Sequence, residues 1–362
     1  MIHIREKDRI RNDIITRMLG DLERLHKKGE ITDETYEELK AKYEKKMGEV
    51  DEYYGFAGLG DVIREKVEKS IQKAFKSTKI HFGETFTREE TIKGTFDSED
   101  IDIDFKVENG KIELKKSDTD EYNVLIRKRV KASDSEEAEK EFESIDLTVE
   151  QESNRLAIYA TDMVDIIAEI PEKRYRVRAE SENGSVMLSD LNGETSTLKT
   201  ENGKIIVKNA KFADLTGTTE NGRIEVQHVG STTVKIAAEN GSLLLEEINT
   251  ENLTAETENG RISSTRSKAK TQRLMTERGA VTADISSGEN YIRTKMGSVK
   301  IKVPGETKAS IEVRTSMGSI RSEGKIIESK DGYKKIILNE DGIKEAKIKV
   351  QTDFGSIKIV RS

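Results

Sequence analysis

The sequence predicts a mainly β protein, a single-stranded parallel β-solenoid preceded by an α-helical hairpin and an amphipathic helix. Three observations carry that reading. An Asn-Gly turn recurs every 19 residues, aliphatic residues follow each turn at fixed offsets, and the only two prolines close apolar runs in the same register.

The turns are Glu182-Asn183-Gly184, Glu201-Asn202-Gly203, Glu220-Asn221-Gly222, Glu239-Asn240-Gly241 and Glu258-Asn259-Gly260, and Glu277-Arg278-Gly279 completes the regular set. Beyond it Gly297, Gly318 and Gly355 continue the pattern at spacings of 18, 21 and 37, and an outlying copy, Glu108-Asn109-Gly110, lies upstream. Apolar residues follow at +2 and +4 (Val186/Leu188, Ile205/Val207, Ile224/Val226, Leu243/Leu245), which is strand alternation. Further apolar positions fall at +7 (Leu191, Ala210, Val229, Ile248) and +12 (Leu215, Val234, Leu253).

So few inward residues do not make a free-standing unit, but stacked they form continuous aliphatic ladders. Asn-Gly is also the strongest short hairpin signal. An antiparallel meander, however, needs a second turn signal of similar quality in each repeat, and most repeats lack one. Parallel stacking is therefore expected, with the Asn-Gly corner in left-handed backbone conformations. Coils about 4.8 Å apart follow, and the crossover rule favours a right-handed coil. Pro171 and Pro304 end the runs Ile166–Ile170 and Val299–Val303, where a residue without a ladder donor belongs.

Composition limits the function. Charged residues make up 36% and hydrophobic residues 34%, which suits a slender repeat rather than one large core. There is no Cys, so thiolate metal sites and thiol nucleophiles are excluded. The net charge is −7 and its excess of acid falls after residue 80, so the repeats are a poor surface for a phosphate backbone. No nucleic-acid partner is expected. No signal-peptide core or membrane-length apolar run occurs, and the expected location is the cytoplasm, with peripheral membrane contact open.

Residues 1–50 read as a helical hairpin. Ile14, Met18, Leu22 and Leu25 line its first helix, Gly29 stops that helix, Thr32 caps the second, and Tyr36, Leu39, Tyr43 and Met47 line the second. Residues 51–80 hold a Gly/aromatic linker and an amphipathic helix over 61–76. Its apolar stripe is Ile63, Val67, Ile71 and Phe75, and Lys69, Lys73 and Lys76 lie on its polar side. That helix suits either a cap on the solenoid edge or contact with an anionic membrane.

The repeated Glu-Asn-Gly-x-Ile/Val units and the Ile-Pro and Val-Pro corners resemble the putative-adhesin domain family of bacteria and archaea, a β-solenoid domain of unknown function, over residues 81–362. The stretch Leu19–Thr32 looks like a SHOCT-type module. The resemblance implies a non-enzymatic scaffold or interaction protein, an oligomerising or partner-binding hairpin, and a link to envelope stress. It implies no catalytic residue and no cofactor.

Other candidates for chemistry are weak. Asp97, Glu99, Asp100, Asp102 and Asp104 suit a hard cation, but Ile101, Ile103 and Phe105 alternate with them as in a half-buried strand with an acidic outer face. The histidines His3, His26, His81 and His228 share no ligand spacing, so no metal is expected. A carbohydrate-binding or carbohydrate-active β-helix is the enzymatic alternative, and a membrane-surface stress sensor the third reading. Glu201, Glu220, Glu239 and Glu258 would stack as a corner ladder relieved by Lys204, Arg223 and Arg261, or serve as a cation-binding stripe. Late in the chain the Asn position becomes Met296, Met317 and Phe354, an apolar column on a corner that is polar earlier. That column is the expected partner surface, unless the hairpin expected at 324–345 covers it.

Overall fold

Ile205 pairs with Ile224, Ile224 with Leu243, Leu243 with Ile262 and Ile262 with Val281, all in parallel register. Each is the residue two after a repeat glycine, and each is fully buried or within 1% of it. The alternation of the sequence thus becomes a ladder of aliphatic side chains along one large, parallel-rich sheet, of 24 strands among the described residues. The structure is a computed structural model that describes residues 22–23, 26–27, 36–37, 40–41, 84–339 and 345–362. The chain divides into two units, Met1–Ile80 and His81–Ser362.

Each regular rung of the second unit has a short strand, a corner, a long strand and the Asn-Gly corner. One example is Ile205–Lys208 followed by Lys211–Asn221. The inner corner residue is left-handed in five successive rungs: Asp190, Asn209, His228, Glu247 and Arg266, with φ between 50° and 58° except Asn209 at 49°. This corner, six residues after the glycine, is a second turn for which the repeats carry no shared sequence signal. It explains why the buried positions shift from even offsets (+2, +4) to odd (+7). One residue turned into the left-handed region re-aims the next side chain inward.

The Asn-Gly corner itself differs from expectation. Neither its asparagines nor Gly184, Gly203, Gly222, Gly241 and Gly260 are left-handed. Glycine is required because stacked backbones touch. A Cβ on Gly203 would lie 1.9 Å from the carbonyl oxygen of Gly184, and one on Gly222 1.7 Å from that of Gly203. Only at Gly279, Gly297, Gly318 and Gly355 does an unusual φ of 156° or 157° add a second demand.

Stack order departs from chain order at both ends. The strand Asp100–Asn109 lies between Arg155–Ile170 and Arg174–Ser181. The strand Ala346–Phe354 lies between Gly288–Met296 and Ala309–Met317. Each outlying copy of the turn motif is therefore sandwiched one rung in from an end. Pairing on both sides anchors segments that would otherwise fray.

Antiparallel strands cover the outermost rungs, which manages their unpaired edges. At one end Glu121–Ala132 and Leu147–Glu152 pair with Arg155–Ile170, and Glu84–Thr95 pairs with Glu121–Ala132. A helix, Ser135–Ser144, buries Ala138 and Phe142, and Asp134 caps it by accepting from the Glu137 amide. At the other end the hairpin of Lys325–Lys330 and Tyr333–Leu338 lies against Ala309–Met317. Pro171 and Pro304 directly follow the strands Arg155–Ile170 and Val299–Val303.

In the first unit, residues 22–23, 26–27, 36–37 and 40–41 are helical. Leu22 and Tyr36 are buried, and the His26 ring stacks on Tyr36 with centroids 4.2 Å apart. The expected amphipathic helix, with Ile63, Val67, Ile71, Phe75, Lys69, Lys73 and Lys76, lies outside the described residues.

Candidate functional site

The Asn-Gly corner forms a continuous column along the stack. Side-chain amides donate from Asn183 to Asn109, Asn202 to Asn183, Asn221 to Asn202, Asn240 to Asn221 and Asn259 to Asn240, at 2.9 to 3.1 Å. Six asparagines thus make an exposed amide ladder that runs into Arg278, paired beside Asn259. In the next rung Arg278 faces Met296, Met296 faces Phe354, and Phe354 faces Met317. The polar column therefore continues as an apolar one.

Behind the corner runs a buried hydroxyl column, three residues before each glycine. Thr200 donates to the Gly184 carbonyl at 2.8 Å, and Thr257, Thr276, Thr294 and Thr315 make the same bond at 3.0 Å to Gly241, Gly260, Gly279 and Gly355. Ala238 and Val107 are the positions without a hydroxyl in this series. The sequence signal for this column is Ser/Thr-x-x-Gly, masked by the more regular Glu-Asn pair within it.

The apolar column is not covered by the hairpin. Met296 and Phe354 are each 54% exposed and Met317 is 64% exposed, the largest values among the exposed large hydrophobics of the described residues. Each is followed by Gly, Ser, an aliphatic residue and a cation: Met296-Gly-Ser-Val-Lys300, Phe354-Gly-Ser-Ile-Lys358, Met317-Gly-Ser-Ile-Arg321. Register brings Lys300 opposite Lys358 and Lys358 opposite Arg321.

Four of the five clustered acidic candidates, Glu99, Asp100, Asp102 and Asp104, lie within ion-pair distance of a lysine or arginine. Arg174 grips both carboxylate oxygens of Asp100, and Arg176 does the same for Asp102 at 2.6 and 3.0 Å. Lys173 holds Glu99 at 2.6 Å, and Tyr159 donates to Asp104 at 2.7 Å. The hydrogen bond from Arg174 keeps Asp100 below the usual carboxylate range. Ile101, Ile103 and Phe105 are fully or almost fully buried on the other side of the strand. The cluster is thus the outer face of a half-buried strand, and its carboxylates bind the neighbouring rung.

The expected relief of the corner glutamates by Arg223 is corrected. The Arg223 guanidinium reaches Glu225 at 2.9 Å, its neighbour on the short strand, because both side chains leave the rung on the same face. Lys204 and Arg261 form no ion pair with the glutamate column among the described residues. Only Glu277 has a lysine partner, Lys295, whose hydrogen bond lowers its pKa. His228 lies at the inner corner, 3.1 Å from Glu247.

A sequence profile described as Toastrack DUF4097 matches residues 99–360. The chain belongs to the Toastrack DUF4097 family. The match covers the stacked rungs and both sandwiched end strands of the Toastrack domain, and does not extend to residues 1–98. Two solved structures share low similarity. A "putative cell adhesion protein" from Clostridium sporogenes ATCC 15579 is 8% identical, covering 76% of this chain and 100% of that one, with a TM-score of 0.19. A "putative adhesin" from Bacteroides fragilis NCTC 9343 is 11% identical, covering 76% and 97%, with a TM-score of 0.34. No curated protein matches the chain. Among the described residues of the Toastrack protein, no helix is long and apolar enough to cross a membrane.

Proposed function

We propose that this Toastrack protein is a non-enzymatic interaction scaffold, a β-solenoid with coils of about 19 residues displayed by an oligomerising, SHOCT-like helical module in residues 1–50. One observation carries the reading. The corner column that is a hydrogen-bonded amide ladder over six rungs ends in three exposed apolar side chains, Met296, Phe354 and Met317. A contiguous apolar exposure on an otherwise polar corner marks a contact surface. Carboxylates that would serve catalysis on a β-helix are instead engaged by arginine across rungs, as at Asp100 and Asp102.

A hairpin too small to bury a core of its own suits self-association. Light scattering tests the reading. The full chain is expected to be a multimer whose mass falls to a smaller species or the monomer when residues 1–50 are deleted. A monomeric full chain overturns the oligomeric display. Turnover in a glycan-hydrolysis screen overturns the non-enzymatic part.

A further inference from the structure

The three apolar corner residues do not stand alone. Immediately beside them runs a column of serines, Ser298, Ser356 and Ser319, in which the Ser319 and Ser356 hydroxyls lie 3.2 Å apart. Beyond the serines runs a column of cations, Lys300, Lys358 and Arg321, all exposed. Three columns of three residues therefore span the same three rungs, spaced about 4.8 Å apart.

The three cations are stacked in neighbouring rungs, each directly opposite the next. Several rung cations elsewhere are matched across or along the sheet: Arg174 with Asp100, Arg176 with Asp102, Arg266 with Glu246 and Glu247, Lys295 with Glu277 and Lys302 with Asp284. Lys300, Lys358 and Arg321 form no ion pair among the described residues. An acidic protein of net charge −7 thus carries a local block of three unmatched positive charges beside its most exposed apolar side chains.

We propose that this face is a docking site for an anionic lipid bilayer. The inference rests on reading the apolar column as a contact surface. Shape and charge together select the occupant. The column is a ridge at a sheet corner, and none of its three side chains lines a cavity described for the domain. A ridge of Met and Phe enters the acyl boundary of a bilayer, which yields around it. Cations one strand-face away then sit at headgroup depth. Long flexible methionines tolerate an irregular environment, and the serines between the two columns can exchange hydrogen bonds with headgroups at the interface. Each lysine or arginine near an anionic surface contributes roughly a fivefold gain in binding, so three contribute on the order of a hundredfold.

The test is co-sedimentation of the full chain with vesicles of phosphatidylcholine alone and of phosphatidylcholine with 30 mol% (about one lipid in three) phosphatidylglycerol. Binding is expected to the anionic vesicles and to be much weaker to the neutral ones. K300E/K358E/R321E is expected to lose on the order of a hundredfold or more, and M296S/F354S/M317S to lose on the order of tenfold. Both sets lie on exposed positions, and an unchanged unfolding midpoint shows that they fold. The K69E/K73E/K76E variant separates this site from the amphipathic segment 61–76, and its binding is expected to persist. Absence of binding by the parent chain, or binding unchanged in both ridge variants, overturns the proposal. Either result leaves the scaffold reading standing on its own light-scattering test.

Discussion

Asn183 donates its side-chain amide to Asn109 at 2.9 Å, although the two are 74 residues apart. The contact joins an isolated upstream copy of the turn motif to the first regular one. It exists because the strand Arg155–Ile170, later in sequence, packs outside the earlier strand Asp100–Asn109. The ladder that results has interior members bonded on both sides.

Removing an interior asparagine breaks two of those bonds at once. Asn221 donates to Asn202 and accepts from Asn240. Asn221→Ala is expected to lower stability by about 1 to 2 kcal/mol, since each net hydrogen bond contributes roughly 0.5–1.5 kcal/mol and solvent partly replaces it at this exposed site. Chemical denaturation should show a lower midpoint with an unchanged slope. No change in midpoint would mean that the ladder is a passive consequence of stacking.

The buried hydroxyl column offers a test in both directions. Thr200 is fully buried and its hydroxyl satisfies the Gly184 carbonyl, so Thr200→Val is expected to cost about 1–3 kcal/mol. Ala238 occupies the same place one rung after Thr219 and one before Thr257, paired with both. Ala238→Thr supplies a donor for the Gly222 carbonyl and is expected to add about 1 kcal/mol. A destabilised Ala238→Thr would show that the added volume outweighs the bond.

Much of this fold was legible in the sequence. The interval of 19 residues and the offsets +2 and +4 identify the aliphatic ladder from Ile205 to Val281, because burial on one face of a strand leaves a period-2 trace. The inner corner was hidden because its left-handed residues, Asp190, Asn209, His228, Glu247 and Arg266, share a backbone conformation but no side-chain chemistry. The shift of parity between +4 and +7 was the available sign. Stack order at the ends was hidden for a different reason. Spacings of 21 and 37 say that residues intervene, but not on which side of Gly288–Met296 the returning strand will pair. At the candidate surface, the sequence located Met296, Met317 and Phe354. The cation column needed the register to bring Lys300, Lys358 and Arg321 together.

Acid is expected to loosen the junction between the strands Asp100–Asn109 and Arg174–Ser181. Arg174 depresses the pKa of Asp100, so its contribution is complete above the ordinary aspartate value near pH 3.9 and is lost as pH falls through the lower folded value. Native-state hydrogen exchange measured from pH 5 to about pH 2, corrected for the intrinsic rate, should show protection falling first in these two strands. Arg174→Gln should remove the part of that pH dependence due to Asp100. Equal loss across all rungs would place the acid sensitivity elsewhere.

The glycine column sets the strictest limit on sequence. Gly203 meets the Gly184 carbonyl carbon and oxygen, both backbone atoms of the adjacent rung, and a Cβ there would approach them to 2.6 and 1.9 Å. Neither rung has freedom to retreat, because Ile205 pairs with Val186 on one side and with Ile224 on the other. Gly203→Ala must therefore separate two rungs that share a continuous hydrogen-bonded ladder, at an expected cost above about 3 kcal/mol, beyond the ordinary range of single substitutions. Asn202→Ala, one residue away, is expected to cost no more than about 2 kcal/mol, because it deletes two exposed amide bonds without touching the backbone spacing. Comparing the two unfolding midpoints separates close approach from hydrogen bonding as the reason for the Asn-Gly repeat. Equal losses would return the glycine to the role of an ordinary turn residue.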